Sequence, residues 1–315
     1  MKDIVSKIAR AVIFVMGLLL LLYGLSRMVV VKEKMDQHAN AIVSEPEQTI
    51  DVLVLGNSET YSSVVPLKLW EQKGITAYCC GTPDQRLFYA KEFLEKTFKN
   101  QSPLVVMIET DMLYNGSAKN DEVVHKLSTV FPVFLYHNRW KTLSFSDFVH
   151  RNSGYGVEEN KGYSYDLTIV PASTDGYMDP SELVEVIPKR NQEYIRQIKE
   201  YCDERGALLV LYSTPSTVNW NMRRHNGVEI LAEDIGIDYV DLNILQADVG
   251  IDWRRDTRDK GDHMNYWGAN KVTGYLGEYL HSLGILVDHR GDERYQDWDI
   301  YLDSFNQQLA QDSVE

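Results

Sequence analysis

The 315 residues are 44% hydrophobic and 25% charged, the balance of a folded chain rather than a disordered one, and their number allows one large domain or two small ones. A formal net charge of −14 excludes nucleic acid as a natural partner and disfavours anionic lipid, because both repel an acidic surface. The three cysteines, Cys79, Cys80 and Cys202, form an odd set with an adjacent pair. That is not a disulfide framework, and they read as small core residues.

The first ten residues carry Lys2, Lys7 and Arg10 against Asp3, the composition of a short cytoplasmic segment. Residues 11–31 are then apolar apart from Arg27. As a helix they span roughly 30 Å, the thickness of a hydrocarbon core, and Arg27 lies near enough to one end to snorkel. A cleaved signal peptide is the rival reading. The apolar run leads into Met28-Val29-Val30-Val31-Lys32, which suits cleavage poorly, and Ala39-Asn40-Ala41 comes late. The expectation is an uncleaved single-pass anchor in the cell membrane with the body of the protein extracytoplasmic, followed by a polar linker over residues 32–49.

Beyond the linker, short apolar runs alternate with helical patterns. Strands are predicted at 51–55, 75–80, 104–108, 207–212 and 239–242. Helices are predicted at 66–73, 85–99, 191–205, 223–235 and 266–283. Continuous apolar strands separated by helices imply a parallel sheet covered on both faces. The fold class expected is therefore α/β, a doubly wound, flavodoxin-like five-stranded parallel sheet over residues 50–286, with ligands bound at the carboxyl ends of the strands. Residues 111–188 break the rhythm and are too long for an ordinary loop, so they read as an insertion that shapes a substrate site. Residues 287–315 read as an acidic tail in which Trp298, Tyr301, Leu302, Phe305 and Leu309 form the apolar face of a helix packing on the domain.

Two stretches could carry chemistry. Gly56-Asn57-Ser58-Glu59-Thr60 follows the first strand, where a Ser in a tight turn stands exposed at the top of the sheet; capping of the next helix is the plainer role for such residues. About two hundred residues later, Asp259-Lys260-Gly261-Asp262-His263-Met264-Asn265 precedes the last helix on the same edge of the sheet. A Ser hydroxyl needs a nearby base, and the imidazole needs a carboxylate to orient it; both Asp259 and Asp262 are available, with Asp259 slightly favoured if a turn brings it back. Asp256, Asp259 and Asp262 could instead hold a hard cation, but the rest of an ion-binding loop is missing, and no metal or other cofactor is expected. Gln85, His137, Arg139, Trp140, Thr214, Trp220 and Asn221 lie near the presumed loops and suit sugar binding by stacking or hydrogen bonding.

Together, Gly56-Asn57-Ser58 and His263-Met264-Asn265 with Gly268-Ala269 resemble the first and last sequence blocks of the SGNH (GDSL-like) hydrolase superfamily. The likeness is closest to its membrane-anchored branch, the DltD and AlgJ/AlgX-like proteins, which works on cell-envelope polymers. The resemblance implies a Ser58 nucleophile with His263 as base, and an oxyanion hole from the amides of Ser58 and Gly81. It also implies an acylated glycan or other carbohydrate substrate, and a multi-spanning O-acyltransferase as a partner in the membrane. Two departures stand out. The position three before His263 is Lys260 rather than Asp, and the third strand is followed by Glu109-Thr110-Asp111 without the usual Asn. Thr110 or Asn115 is then left as the substitute oxyanion donor.

Overall fold

The computed structural model describes residues 2–29, 38–116, 119–136, 141 and 155–313. In chain order the helices are α1 (Lys2–Val29), α2 (Ser58–Ser63), α3 (Pro66–Lys73), α4 (Leu87–Thr97), α5 (Lys119–Val130), α6 (Val133–Tyr136), α7 (Lys189–Asp203), α8 (Met222–Ile235), α9 (Gln246–Val249), α10 (Tyr266–Ser282) and α11 (Gln296–Asp312). The strands are β1 (Val52–Gly56), β2 (Ala77–Gly81), β3 (Val105–Glu109), β4 (Leu208–Ser213) and β5 (Asp238–Asp241). Two compact units emerge: Met1–Glu33 with Ser117–Gly154, and Lys34–Gly116 with Tyr155–Glu315.

The larger unit is built on the five strands, all parallel, in the order β2-β1-β3-β4-β5. This is the flavodoxin-like order expected, with helices on both faces. The strands could be read because β1, β2 and β3 are buried along their whole length, so no alternation interrupts their apolar runs. Strand order reverses at β1, and the crevice at such a switch point lies outside the carboxyl ends of β1 and β3. Gly56 and Gly81 end β1 and β2 in register, and Glu109 ends β3 opposite Tyr212.

The long irregular stretch is not one body. Residues 117–154 fall in the smaller unit, whereas the part from Tyr155 onward is stitched to the sheet unit by its backbone. Cys79 donates to Lys161 O at 2.9 Å, Ser164 to Tyr61 O at 2.7 Å, Val170 to Thr257 O at 2.9 Å and Ala172 to Trp253 O at 2.8 Å. The first of these bonds covers β2, the edge strand, whose free N–H groups would otherwise invite pairing with another chain. The approach is close: a Cβ on Gly162, at φ +85°, would lie 2.0 Å from Cys79 O.

The segment after the apolar helix is likewise more than a linker. Ala39 and Ile42 are buried in the core, and Tyr78 Oη donates to His38 O at 2.7 Å. Glu45 pairs with Lys161 at 2.9 Å through both carboxylate oxygens, with each side chain almost wholly buried. Burial lifts the Glu45 carboxyl above its usual range, and the Lys161 ammonium pulls it back only in part. That ammonium also stands 5.0 Å from the Trp298 ring centroid and 4.5 Å from that of Tyr301, so it ties α11 to the same point. Trp298 and Phe305 are buried as the periodicity of residues 287–315 predicted. Lys161→Ala strands a buried acid, and a loss of about 3–5 kcal/mol in unfolding free energy is expected. The double variant Glu45→Leu/Lys161→Met is expected to recover most of it, with both variants read by urea titration.

In the smaller unit, Ile4–Val29 of α1 is long and apolar enough to cross a membrane. The start of α6 meets α1 where Val133 N–H donates to Ser26 Oγ at 3.4 Å.

Candidate active site

Ser58 opens α2 directly beyond β1. Asn57 fixes the turn: its side-chain oxygen accepts the Glu59 N–H at 3.0 Å, and its carbonyl accepts the Thr60 N–H at 3.2 Å. Only glycine fits at the strand ends. A Cβ on Gly56 would lie 2.0 Å from Thr60 Oγ1, and one on Gly81 would lie 2.9 Å from Asn57 O and 3.2 Å from Tyr61 Cδ1. Gly81 is thereby packed closely against Asn57 and Tyr61 of the turn that carries Ser58. The phenol of Tyr61 lies close to Ser58, and burial makes its ionisation harder.

His263 is held from one side. Its Nδ1 lies 2.6 Å from Asp259 Oδ2, and its backbone N–H donates to Asp259 Oδ1 at 2.7 Å. The unusual four-residue spacing works because Lys260 and Gly261 between them take φ +67° and +93°, a left-handed pair that turns the chain back on itself. Thr217 blocks any side chain at Gly261, where a Cβ would lie 2.1 Å from Thr217 Oγ1. Asp262 is the lesser partner, 3.7 Å from His263 Nδ1 and engaged by the carboxamide of Asn219 at 2.6 Å. The remaining ring nitrogen, Nε2, is buried and makes no hydrogen bond.

The two halves meet on one rim. A carboxylate oxygen of Glu59, one of Asp262 and a ring nitrogen of His263 lie within 4.8 Å of one another. Asn219 Nδ2 bridges Glu59 Oε1 at 2.8 Å and Asp262 Oδ1 at 2.6 Å, and Arg258 reaches from beside Asp259 to Ser62 Oγ at 2.7 Å. The direct Ser58–His263 hydrogen bond expected of a resting triad is not formed, because His263 Nε2 is without a partner. Catalytic hydrogen bonds are often long or misaligned until substrate binds.

Several expectations are corrected. The Thr110 hydroxyl is fully buried and bonded to Ser213 Oγ, and its N–H goes to Tyr212 O; Thr110 belongs to the core, not to an oxyanion hole. Asn115 lies beyond the short turn Asp111–Leu113, where its carbonyl accepts from Asn191 Nδ2 at 3.0 Å, and it makes no hydrogen bond to Ser58, Gly81 or His263. In place of a donor, the loop after β3 offers acceptors. Asp111 accepts from Asn57 Nδ2 at 2.6 Å and from Arg224 at 2.8 Å. Glu109 accepts the Asp111 N–H at 2.9 Å, its carboxyl pushed well up by burial and by the nearby Asp111.

Gln85 is also spent internally, on Thr82 and Cys80 O. The indole of Trp220 is buried and donates to Asp241 at 3.0 Å, so it is not a stacking platform. The Asn221 side-chain oxygen caps α8 by accepting from Arg223 and Arg224. Thr214 lines the interior, bonded to Ser63 Oγ at 3.0 Å. His137, Arg139 and Trp140 lie outside the described residues. The three aspartates of the alternative cation site diverge: Asp256 goes to Lys271 at 2.6 Å, Asp259 to His263 and Asp262 to Asn219. Glu59, Asp262 and His263 do have the chemistry of divalent-ion ligands, but the Asn219 carboxamide already fills the bridging position between the two carboxylates.

Glu59, Tyr61 and Asn219 escaped the sequence reading. Glu59 is 1% exposed, and its Oε2 has no partner. Burial, and then the proximity of Glu109, raise its carboxyl well above the ordinary range, so the folded protein holds a proton there that the unfolded chain releases near pH 4–5. Such a group favours the fold at low pH, and the advantage is lost as pH climbs from the unfolded value towards the folded one. Glu59→Gln, a mimic of the protonated acid, is therefore expected to match the parent in Tm near pH 4 and to exceed it near pH 8. Equal Tm differences at both pH values would show that Glu59 is ionised in the fold.

No family model matches the chain, and no curated protein matches it. Among solved structures, a GDSL-like lipase from Bacteroides thetaiotaomicron aligns with a TM-score of 0.41 and 12% identity over 79% of this chain and 98% of its own. A lipase/acylhydrolase from Enterococcus faecalis aligns with a TM-score of 0.40 and 12% identity over 75% and 97%. A psychrotrophic esterase from Pseudoalteromonas, inhibited there by monoethylphosphonate, aligns with a TM-score of 0.37 and 8% identity over 74% and 98%.

Proposed function

We propose that this protein is a serine-dependent acyl-ester hydrolase or O-acyltransferase acting on a cell-envelope or exported polysaccharide, held at the membrane by α1 with its sheet unit extracytoplasmic. The observation that carries the chemistry is the Asp259–His263 pair, whose Nε2 is left without a partner on the rim that bears Ser58. In the first half-reaction Ser58 Oγ gives its proton to His263 Nε2 and attacks the acyl carbonyl. The Ser58 and Gly81 amides receive the oxyanion, and the leaving alcohol takes the proton back from His263. In the second half, water or a sugar hydroxyl gives its proton to His263 and attacks the Ser58 ester; the bond from the acyl carbon to Ser58 Oγ breaks, and Oγ takes that proton from His263. Asp259 fixes the tautomer and stabilises the imidazolium between the two transfers.

The polysaccharide and a multi-spanning O-acyltransferase as acyl source rest on the resemblance of the two sequence blocks. Without a side-chain amide after β3, one oxyanion donor is missing, and turnover of simple esters should be slow by about a hundredfold against a complete site. The decisive test is a fluorophosphonate probe read by peptide mass spectrometry. The expected result is a single adduct on Ser58 that disappears in His263→Ala. A second reading, a glycan-binding scaffold without chemistry, is favoured by the unpartnered His263 Nε2 and the acceptor-lined β3 loop. It predicts no adduct, and glycan affinity that survives loss of both Ser58 and His263.

A further inference from the structure

We infer that α5 and α6 form an interfacial module, lying in the surface of the same bilayer that α1 crosses, at the depth where α1 leaves the hydrocarbon. This rests on the membrane-anchor reading of α1, and three observations carry it.

The first is the point of attachment. Val133 N–H, at the start of α6, donates to Ser26 Oγ in the last turn of α1 at 3.4 Å. Ser26 and Val29 are buried in a helix otherwise exposed along nearly its whole length. The second is the depth of that point. Tyr23 and Arg27 flank Ser26, Arg27 donates to the Tyr23 hydroxyl at 3.2 Å, and its guanidinium lies 5.9 Å from the ring centroid. An amphipathic aromatic paired with a snorkelling cation belongs at headgroup level, so α6 is pinned at that level too.

The third is the face that α5 presents. Val123, Val124, Leu127 and Val130 recur at helical spacing on one side and are 44–65% exposed, and Phe134 of α6 continues the stripe. Asp121, Glu122, His125 and Lys126 occupy the rest of the helix. An apolar stripe of this kind beside a membrane-spanning helix fits the acyl–headgroup boundary, where amphipathic helices lie in the plane. The two acids of α5, Asp121 and Glu122, are balanced by Lys119 and Lys126, so the attraction is apolar, and uncharged or zwitterionic headgroups are the fitting surface.

The test uses the full chain in phosphatidylcholine nanodiscs, with an environment-sensitive fluorophore on one introduced cysteine at a time. Cys79, Cys80 and Cys202 are all buried and should stay unlabelled. Leu20→Cys reads the anchor, Leu127→Cys the apolar face of α5, and Glu122→Cys its polar face. Lipids brominated near the headgroup, or deep in the chains, serve as quenchers. The expected result is deep quenching at Leu20, a blue shift with shallow quenching at Leu127, and neither at Glu122. Quenching at Leu20 without quenching at Leu127 overturns the inference; a blue shift at Leu127 that bromolipid leaves untouched does so as well, because a protein surface then covers the stripe. Loss of quenching at Leu20 removes the anchor, and the inference with it. None of these readings depends on whether Ser58 is a nucleophile.

Discussion

Ser58→Ala is expected to lower ester cleavage by roughly 10⁴-fold or more, and His263→Ala by a similar factor, while the double variant falls little below either single one. Residues that act as one unit are strongly non-additive, because the proton transfer fails once either partner is gone. The substrate should be an acetyl ester with a good leaving group, followed at saturating concentration so that kcat is read directly. Independent, multiplying losses of a few-fold each would mean that the two groups do not share a step. Because the Tyr61 phenol lies close to Ser58, Tyr61→Phe provides a further check. The phenol has no role in the proton transfer to His263, so kcat should largely hold, whereas a fall to the Ser58→Ala level would make the phenol itself a participant.

Asp259→Asn and Asp262→Asn should separate widely, although the two aspartates stand within four residues of one imidazole. Asp259 accepts from both the ring and the backbone of His263, so the amide replacement favours the wrong tautomer and is expected to reduce kcat by about 10²–10⁴-fold. Asp262 faces Asn219, and its replacement is expected to change kcat by less than about tenfold. The measurement is the pair of pH–rate profiles. Asp259→Asn should alter the limb that reports the base, and Asp262→Asn should leave it in place. The reverse order of effects would reassign the orienting carboxylate.

The sheet could be read from the chain because its strands are buried on both faces and therefore announce themselves as unbroken apolar runs, bounded by Gly, Asn and Pro. The Ser58 and His263 loops could be read because they must stand at strand and helix ends, where turn residues mark them. What stayed hidden depends on side-chain direction. Nothing in the order Glu109-Thr110-Asp111 says that Thr110 turns inward to Ser213 while Asp111 turns to Asn57 and Arg224. Trp220 and Gln85 have the chemistry of ligand contacts, but the protein had already used their polar atoms. Glu59 gives no signal because an acid that follows Ser58 looks like the first turn of a helix, and only packing from three loops turns it into a buried, proton-holding group. Asn219 carries no signal of its own; its role exists only where the loops after β1 and β4 converge with the one before α10. The positive φ of Lys260 had a partial signal in the Gly that follows it, and this is what made the fourth-residue aspartate a workable choice.

The engagement of Glu45 by Lys161, with Ala39 and Ile42 seated in the interior, bears on how the globular part can be produced by itself. A cut placed just ahead of β1, where composition alone would put the domain border, discards one partner of an enclosed ion pair and opens the hole that two aliphatic residues had filled. A fragment starting at His38 keeps all of these groups and dispenses with the hydrophobic helix. Folding of the sheet unit without α1 should therefore turn on about a dozen residues that look, in the sequence, like a dispensable tether.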